Sequence, residues 1–145
     1  MNGTVAQRID RIAAEFAELE PRERLELLLE YAEKLPPLAP KYQAQRDAGL
    51  NRVHECQTPV FLWAEVEDSQ VHIYADVAPE APTVQGFVSL LAEVFSGATP
   101  REVLGVEANL VHRFGLTEVL GMVRMRGLQA IAHQIRQKIA AARDA

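Results

Sequence analysis

The segment Val53-His54-Glu55-Cys56-Gln57-Thr58-Pro59-Val60-Phe61 holds the only cysteine of this 145-residue chain. A single cysteine forms no internal disulfide, and it cannot supply the several thiolates of a zinc or iron–sulfur site. Any covalent chemistry at Cys56 therefore involves a second molecule. Free cysteine is among the most buried residue types, so a small buried hydrophobe is the simplest interpretation. The polar neighbours of Cys56 and the proline three residues later favour instead a loop that enters a strand.

The residues that follow this segment predict a β-hairpin. Val60–Glu67 is rich in Val, Phe and Trp, and residues 71–76 alternate apolar and polar side chains, as a half-buried strand does. Asp68-Ser69 lies between the two runs and predicts the turn, although the favoured glycine is missing. Residues 53–56 suggest a short third strand.

Apolar residues at helical spacing surround the predicted hairpin on both sides. Thr4 with Gln7 predicts a capping box for the first helix, and Pro21 fits the first turn of a second. Further helices are expected from residue 84, after Thr99-Pro100, over residues 109–114, and from Leu128 onward. Two stretches fall outside helices in this prediction: a long loop over residues 36–52, and Arg124, Arg126 and Gly127 ahead of the last helix.

Composition narrows the class of protein. The net charge is −5, which disfavours a nucleic-acid partner because phosphate binding requires a surplus of Lys and Arg. One cysteine suggests a reducing compartment, and the first residues show no apolar signal region. The longest apolar runs are too short to cross a bilayer. We therefore expect one cytoplasmic domain over residues 1–145, without a membrane partner.

The histidines suggest two further kinds of site. His54 and Cys56 would share one face of a strand, with His72 on the neighbouring run, but no metal-binding signature accompanies them, so no metal and no cofactor is expected. A cysteine hydrolase would require a base such as His72 or His112 and an oxyanion hole, yet no glycine-rich turn follows Cys56. His133, like His112, fits a solvated helix face.

Five segments, in order along the chain, together resemble one family. The first two are Leu35-Pro36-Pro37-Leu38 and the cysteine segment. The other three are Thr83-Val84-Gln85-Gly86-Phe87, then Phe95-Ser96-Gly97-Ala98-Thr99-Pro100-Arg101-Glu102-Val103, and finally Arg124 with Gly127-Leu128. In this order and spacing the chain resembles the SufE family of sulfur acceptors, including its CsdE branch. The family favours Val-x-Gly-Cys-Gln-Ser-x-Val-Trp around its cysteine, so Glu55, Thr58 and Phe61 depart from its pattern.

The resemblance implies a fold and a function. The implied fold is α+β, with helices packed on a small antiparallel sheet, related to the IscU scaffold but without that protein's three cysteines. The implied function is to take persulfide sulfur from a pyridoxal-phosphate-dependent cysteine desulfurase of the SufS or CsdA type, to stimulate that enzyme, and to pass the sulfur to an iron–sulfur scaffold. Such transfer is attack by a thiolate on sulfane sulfur, which needs one thiol and no metal.

The resemblance also suggests roles for individual residues. Cys56 would be the sulfur-accepting nucleophile, and Arg124 a nearby cation that favours thiolate or contacts the desulfurase. Gln57 would orient the loop, and His54 would belong to the surroundings of the thiol. Glu55 places a carboxylate next to Cys56 in the chain, which disfavours thiolate and predicts a thiol that is quiet in the free protein. The alternatives are a stand-alone cysteine hydrolase and a non-catalytic interaction module.

Overall fold

A computed structural model describes residues 3–107 and 109–144 of the chain. Within these residues, seven helices and one antiparallel pair of strands form an α+β fold, as expected. In chain order the elements are α1 (Val5–Ala17), α2 (Pro21–Ala32), α3 (Pro40–Asp47), β1 (Val60–Glu67), β2 (Gln70–Val77), α4 (Pro82–Phe95), α5 (Pro100–Leu104), α6 (Leu110–Arg113) and α7 (Met122–Asp144). No helix among the described residues is both long and apolar enough to cross a membrane.

The hairpin has the predicted strands and the predicted turn. β1 pairs with β2 from Val60 opposite Val77 to Glu67 opposite Gln70. Asp68 and Ser69 both have positive φ, 53° and 64°, as a tight two-residue hairpin turn of type I′ requires. The third strand is wrong: the only extra pairing described is a single bridge between Arg52 and Phe61. Residues 53–56 instead bend into a turn.

Local signals placed several helix ends correctly. The capping boxes at Thr4 and Thr99 are both formed, and Pro21 is the first residue of α2. The carboxylate of Glu102 accepts hydrogen bonds from the backbone N–H groups of Val5 and Thr99, which lower the pKa of this carboxyl. The contact with Val5 joins α5 to the beginning of α1.

Two predictions about the helices are wrong. Residues 36–52 are not one long loop, because α3 occupies residues 40–47. α7 begins at Met122, so Arg124 and Gly127 lie inside this helix and not ahead of it. In both cases the helix begins where the apolar repeat is weak or absent, and packing against the rest of the protein stabilises it.

The core lies between the hairpin and the helices. α7 packs across β1, and α4 packs against β2 and α2. Gly86 brings α4 close to α2, since a β-carbon at this position would lie only 2.1 Å from the carbonyl oxygen of Leu28. On the opposite face of the hairpin, Tyr42 of α3 packs on Trp63 and Tyr74, with ring centroids 5.1 and 4.9 Å away. The sheet is therefore covered on both faces, which holds the chain just before β1 in place.

Candidate functional site

Cys56 lies in a short loop that is closed at its base. The N–H of Val53 donates to the carbonyl of Val60 at 2.8 Å, and both residues are fully buried. The N–H of Cys56 donates back to the carbonyl of Val53 at 3.3 Å, which turns the chain inward. We call residues 54–59 the cysteine loop.

The cysteine is buried although it belongs to a loop. Cys56 is 6% exposed, and the other residues of the cysteine loop are exposed or half-buried. The prediction of a loop is thus confirmed, and the inference that a loop position argues against burial is wrong. The reason is that the turn at Val53 directs this one side chain toward α7.

Gly127 makes room for the thiol. A β-carbon built on Gly127 would lie 3.3 Å from Cys56 Sγ and 3.9 Å from its Cα. A real β-carbon rarely comes this close, so a side chain at position 127 would require the sulfur to shift by a few tenths of an ångström. The following residue, Leu128, is 1% exposed and fixes this part of α7 in the core.

A cavity of about 460 Å³ opens beside Cys56 between the cysteine loop, α4 and α7. Its lining combines polar, apolar and cationic side chains: Glu55, Cys56, Gln57, Thr58, Val84, Val123, Arg124, Arg126 and Gly127. A larger cavity, of about 530 Å³, lies between α1, α5 and α6, but neither cysteine nor histidine lines it. We place the candidate site in the smaller cavity because it contains the chain's only thiol.

Arg124, which the sequence analysis suggested as a cation near Cys56, lies in the first turn of α7 and lines this cavity. Its Nη1 donates a hydrogen bond to Oγ1 of Thr83, a 9% exposed residue at the start of α4. This bond holds the guanidinium group at the wall of the cavity. Thr83 was quoted in the family resemblance but was not predicted as a site residue, because nothing in the sequence pairs it with Arg124.

The carboxylate of Glu55 lines the cavity and reaches Gln134 on α7. Its two carboxylate oxygens lie 3.4 and 3.5 Å from Nε2 of Gln134, which donates to them. These are long hydrogen bonds at the surface, so they tie the cysteine loop to α7 only weakly. Gln134 was missed in the sequence, where one glutamine on a helix carries no signal.

Of the other residues suggested as neighbours of Cys56, only Gln57 lines the cavity. Gln57 is exposed and lines the cavity, whereas His54 is exposed and does not line it. His54 and Cys56 were expected on one face of a strand; because the segment is a turn, one side chain is exposed and the other is buried. His72 lies on β2, outside the cavity lining. Within the described residues, no three His, Cys, Asp or Glu side chains form a group that could hold a metal ion.

A larger side chain at position 127 should expose the cysteine. In Gly127→Val the β-carbon and the methyl groups that it carries would crowd the sulfur, and α7 cannot move away because Leu128 is buried in the core. The cysteine loop, held mainly at its base, must then move outward. We expect iodoacetamide to alkylate Cys56 roughly tenfold faster or more at neutral pH, as expected when a buried thiol becomes accessible. Gly121→Val is the control, since nothing lies within 4 Å of a β-carbon there. An unchanged or slower rate for Gly127→Val would contradict this packing.

Removing the donor of Gln134 should loosen the cysteine loop. A normal hydrogen bond contributes on the order of 1 kcal/mol and this long one contributes less, so Gln134→Leu should speed alkylation of Cys56 by roughly two- to fivefold. Gln137→Leu, an exposed change on the same helix, should have no effect. Glu55→Gln separates the bond from the charge, because an amide oxygen still accepts from Gln134. A wild-type rate in Gln134→Leu would show that the bond does not restrain the loop, whereas faster alkylation in Glu55→Gln would assign the effect to the carboxylate charge.

Comparison with known proteins gives one consistent result. Residues 10–139 match the family described as "SufE: Fe-S metabolism associated domain". The chain is similar to an uncharacterized SufE-like protein of Mycobacterium tuberculosis, with 32% identity over 129 residues and 88% of each chain covered. It is also similar to an uncharacterized SufE-like protein of Synechocystis, with 28% identity over 138 residues, covering 94% of this chain and 83% of that protein. The solution structure of a hypothetical protein from Thermus thermophilus superposes with a TM-score of 0.81 and 37% identity, covering 95% of this chain and 97% of that one.

Proposed function

The chain belongs to the SufE family, and from this premise we propose that Cys56 accepts sulfur from a pyridoxal-phosphate-dependent cysteine desulfurase. In this proposal the protein stimulates the desulfurase by removing its persulfide, and it delivers the sulfur to an iron–sulfur cluster scaffold. It acts as a carrier and not as an enzyme. The observation that carries the proposal is the position of the chain's only thiol, which lines a cavity of about 460 Å³ together with two arginines.

The transfer step requires only the groups found at this site. The thiolate of Cys56 attacks the outer sulfur of the desulfurase persulfide; a new S–S bond forms on Cys56 as the donor's S–S bond breaks, and the donor cysteine leaves as a thiolate. Nothing is oxidised or reduced overall. Arg124 and Arg126 line the cavity and supply positive charge for the anions that enter and leave this step.

The burial of Cys56 adds a condition to this step. Because Cys56 is only 6% exposed, a thiol on another protein has little access to its side chain, and in this proposal the cysteine loop moves outward when the donor docks. The free carrier would then be protected from stray oxidation, since oxidation of a thiol requires access.

A cysteine hydrolase is less well supported. Such an enzyme needs a base within hydrogen-bond reach of the thiol. No histidine belongs to the lining of the cavity that contains Cys56, and His54 is exposed outside it. The lining residues therefore fit sulfur acceptance better than hydrolysis.

Intact mass spectrometry tests the proposal directly. After incubation with a purified cysteine desulfurase and free cysteine, the protein should gain the mass of one sulfur atom, and a reductant should remove it. The release of alanine from cysteine shows that the desulfurase is active in the same sample. An unmodified mass in the presence of its active physiological desulfurase would disprove sulfur acceptance.

Arg124→Ala should weaken stimulation of the desulfurase without unfolding the protein. Arg124 is exposed but donates a hydrogen bond to Thr83, so its loss should lower the free energy of unfolding by about 1 kcal/mol, which is too little to unfold the protein. Alanine release at a fixed carrier concentration should fall, because the cation beside Cys56 is lost. Arg22→Ala, an exposed arginine on α2, is the matched control. Full stimulation of the desulfurase by a folded Arg124→Ala protein would show that Arg124 has no role in it beyond that of an ordinary surface charge.

A further inference from the structure

The first turn of α7 carries two strongly exposed apolar side chains. Met122 is 72% exposed and Val123 is 62% exposed. Among the described residues, the other large exposed hydrophobic side chains are Leu29 at 37% and Leu50 at 53%, and these two lie on separate elements. Single exposed hydrophobic residues need no explanation, but two adjacent ones beside a candidate site indicate an interaction surface.

These side chains form one edge of the cavity that contains Cys56. Val123 lines the cavity and lies four residues before Gly127, so it sits one helical turn from the glycine that makes room for the sulfur. Met122 and Arg126 are likewise four residues apart and share a neighbouring face of α7, and Arg126 also lines the cavity. We call Met122, Val123 and Arg126 the α7 lip.

We infer that the α7 lip is the surface on which the sulfur donor docks, with the two apolar side chains as its anchor. This inference rests on the proposed function. A donor that delivers sulfur to Cys56 must cover the mouth of this cavity, and the lip is part of that mouth. Exposed apolar side chains gain most when a partner removes them from water, which is how a few residues come to dominate an interface.

Charge around the cavity indicates the chemistry of the partner surface. The lining contains Arg124 and Arg126 but only one carboxylate, that of Glu55, whereas the whole chain has a net charge of −5. Within the described part of the chain, Arg126 has no hydrogen-bond or ion-pair partner. The donor should therefore present an apolar pocket for Met122 and Val123 with acidic side chains at its rim, because complementary charge favours encounter and orientation.

The test compares binding with intrinsic reactivity in four proteins: wild type, Met122→Ser, the double variant Met122→Ser/Val123→Ser, and the control Leu50→Ser. The dissociation constant for a purified cysteine desulfurase is measured by calorimetry, and sulfur uptake from inorganic polysulfide is measured by intact mass. The double variant should bind the desulfurase roughly tenfold more weakly or worse, as loss of interface anchors does. Met122→Ser, which changes no residue of the cavity lining, should take up sulfur from polysulfide like wild type and still bind the desulfurase more weakly. Leu50→Ser should match wild type in both measurements. Arg126→Gln should make binding to the desulfurase less sensitive to salt.

The outcomes separate this inference from the proposed function. If wild type gains sulfur from the desulfurase while the double variant binds as tightly as wild type, the lip is not the docking surface and the sulfur-acceptor proposal stands. If wild type neither binds the desulfurase nor gains sulfur from it, both proposals fall. Equal weakening by Leu50→Ser would show a general effect of surface apolarity and would overturn the assignment. Sedimentation could instead show that wild type self-associates and that the double variant does not. That result would assign the α7 lip to contact with a second copy of this chain.

Discussion

Replacing Cys56 with serine should abolish sulfur uptake completely. Cys56 is the only cysteine of the chain, and a hydroxyl group cannot form a persulfide, so no other residue can take over the transfer. Intact mass after incubation with desulfurase and cysteine should show no gain under conditions that load wild type. Stimulation of the desulfurase should be lost in the same sample.

The Cys56→Ser protein should remain folded but be somewhat less stable. The side chain belongs to the buried core, where a serine hydroxyl without a partner costs about 1–3 kcal/mol. Cys56→Ala avoids that cost, so the two variants should lose sulfur uptake equally and differ only in thermal unfolding. Sulfur gained by either variant would place the accepting group outside Cys56 and contradict the whole interpretation of the site.

Gly86→Ala should destabilise the protein by about 3 kcal/mol or more, or prevent folding, because it overpacks a backbone contact. The new methyl group would lie 2.1 Å from the carbonyl oxygen of Leu28 and 3.0 Å from its carbonyl carbon. Backbone atoms of a buried helix cannot swing aside as a flexible side chain can, so α2 and α4 must separate. The gain in helix propensity from glycine to alanine, about 1 kcal/mol, is too small to offset this.

Urea unfolding followed by circular dichroism measures the effect of Gly86→Ala. Gly121→Ala is the matched control, because a β-carbon there meets nothing within 4 Å. The control should unfold at the wild-type urea concentration. A midpoint of unfolding for Gly86→Ala that equals wild type would show that the two helices cross at a greater distance than described.

The elements that could be predicted from the sequence are those whose signals are local. The hairpin follows from two β-rich runs and a two-residue spacer, and the turn forms at Asp68-Ser69 even without glycine. The capping boxes at Thr4 and Thr99 need only residues three positions apart. In each case the physical cause lies within a few residues of the signal.

The helix α3 could not be predicted because its stability comes from distant residues. Its sequence, Pro40-Lys41-Tyr42-Gln43-Ala44-Gln45-Arg46-Asp47, contains one buried residue, Tyr42, and so shows no apolar repeat. That tyrosine packs on Trp63 and Tyr74, and Nε1 of Trp63 donates to Gln45 Oε1 at 2.8 Å. Tertiary contacts of this kind override weak local preference.

The candidate site was predicted in part, for the same reason. The resemblance to the family identified Cys56 and Arg124, which the fold brings to one cavity. The supporting contacts join residues far apart in the chain: 41 positions separate Arg124 from Thr83, and 79 separate Gln134 from Glu55. The burial of Cys56 could not be predicted, because its polar neighbours indicate only a loop, while the space for its sulfur is provided by Gly127 on another element.

The hydrogen bond from Val53 to Val60 divides this part of the molecule into two levels of stability. We expect the amide hydrogens of the chain on the core side of this bond to exchange only when the whole protein unfolds. We expect the six residues of the cysteine loop to open separately. The time for which a carried sulfur stays enclosed is thus set by a local equilibrium, separate from the melting temperature. Substitutions in the loop can lengthen or shorten that time across related chains while the rest of the fold is unchanged.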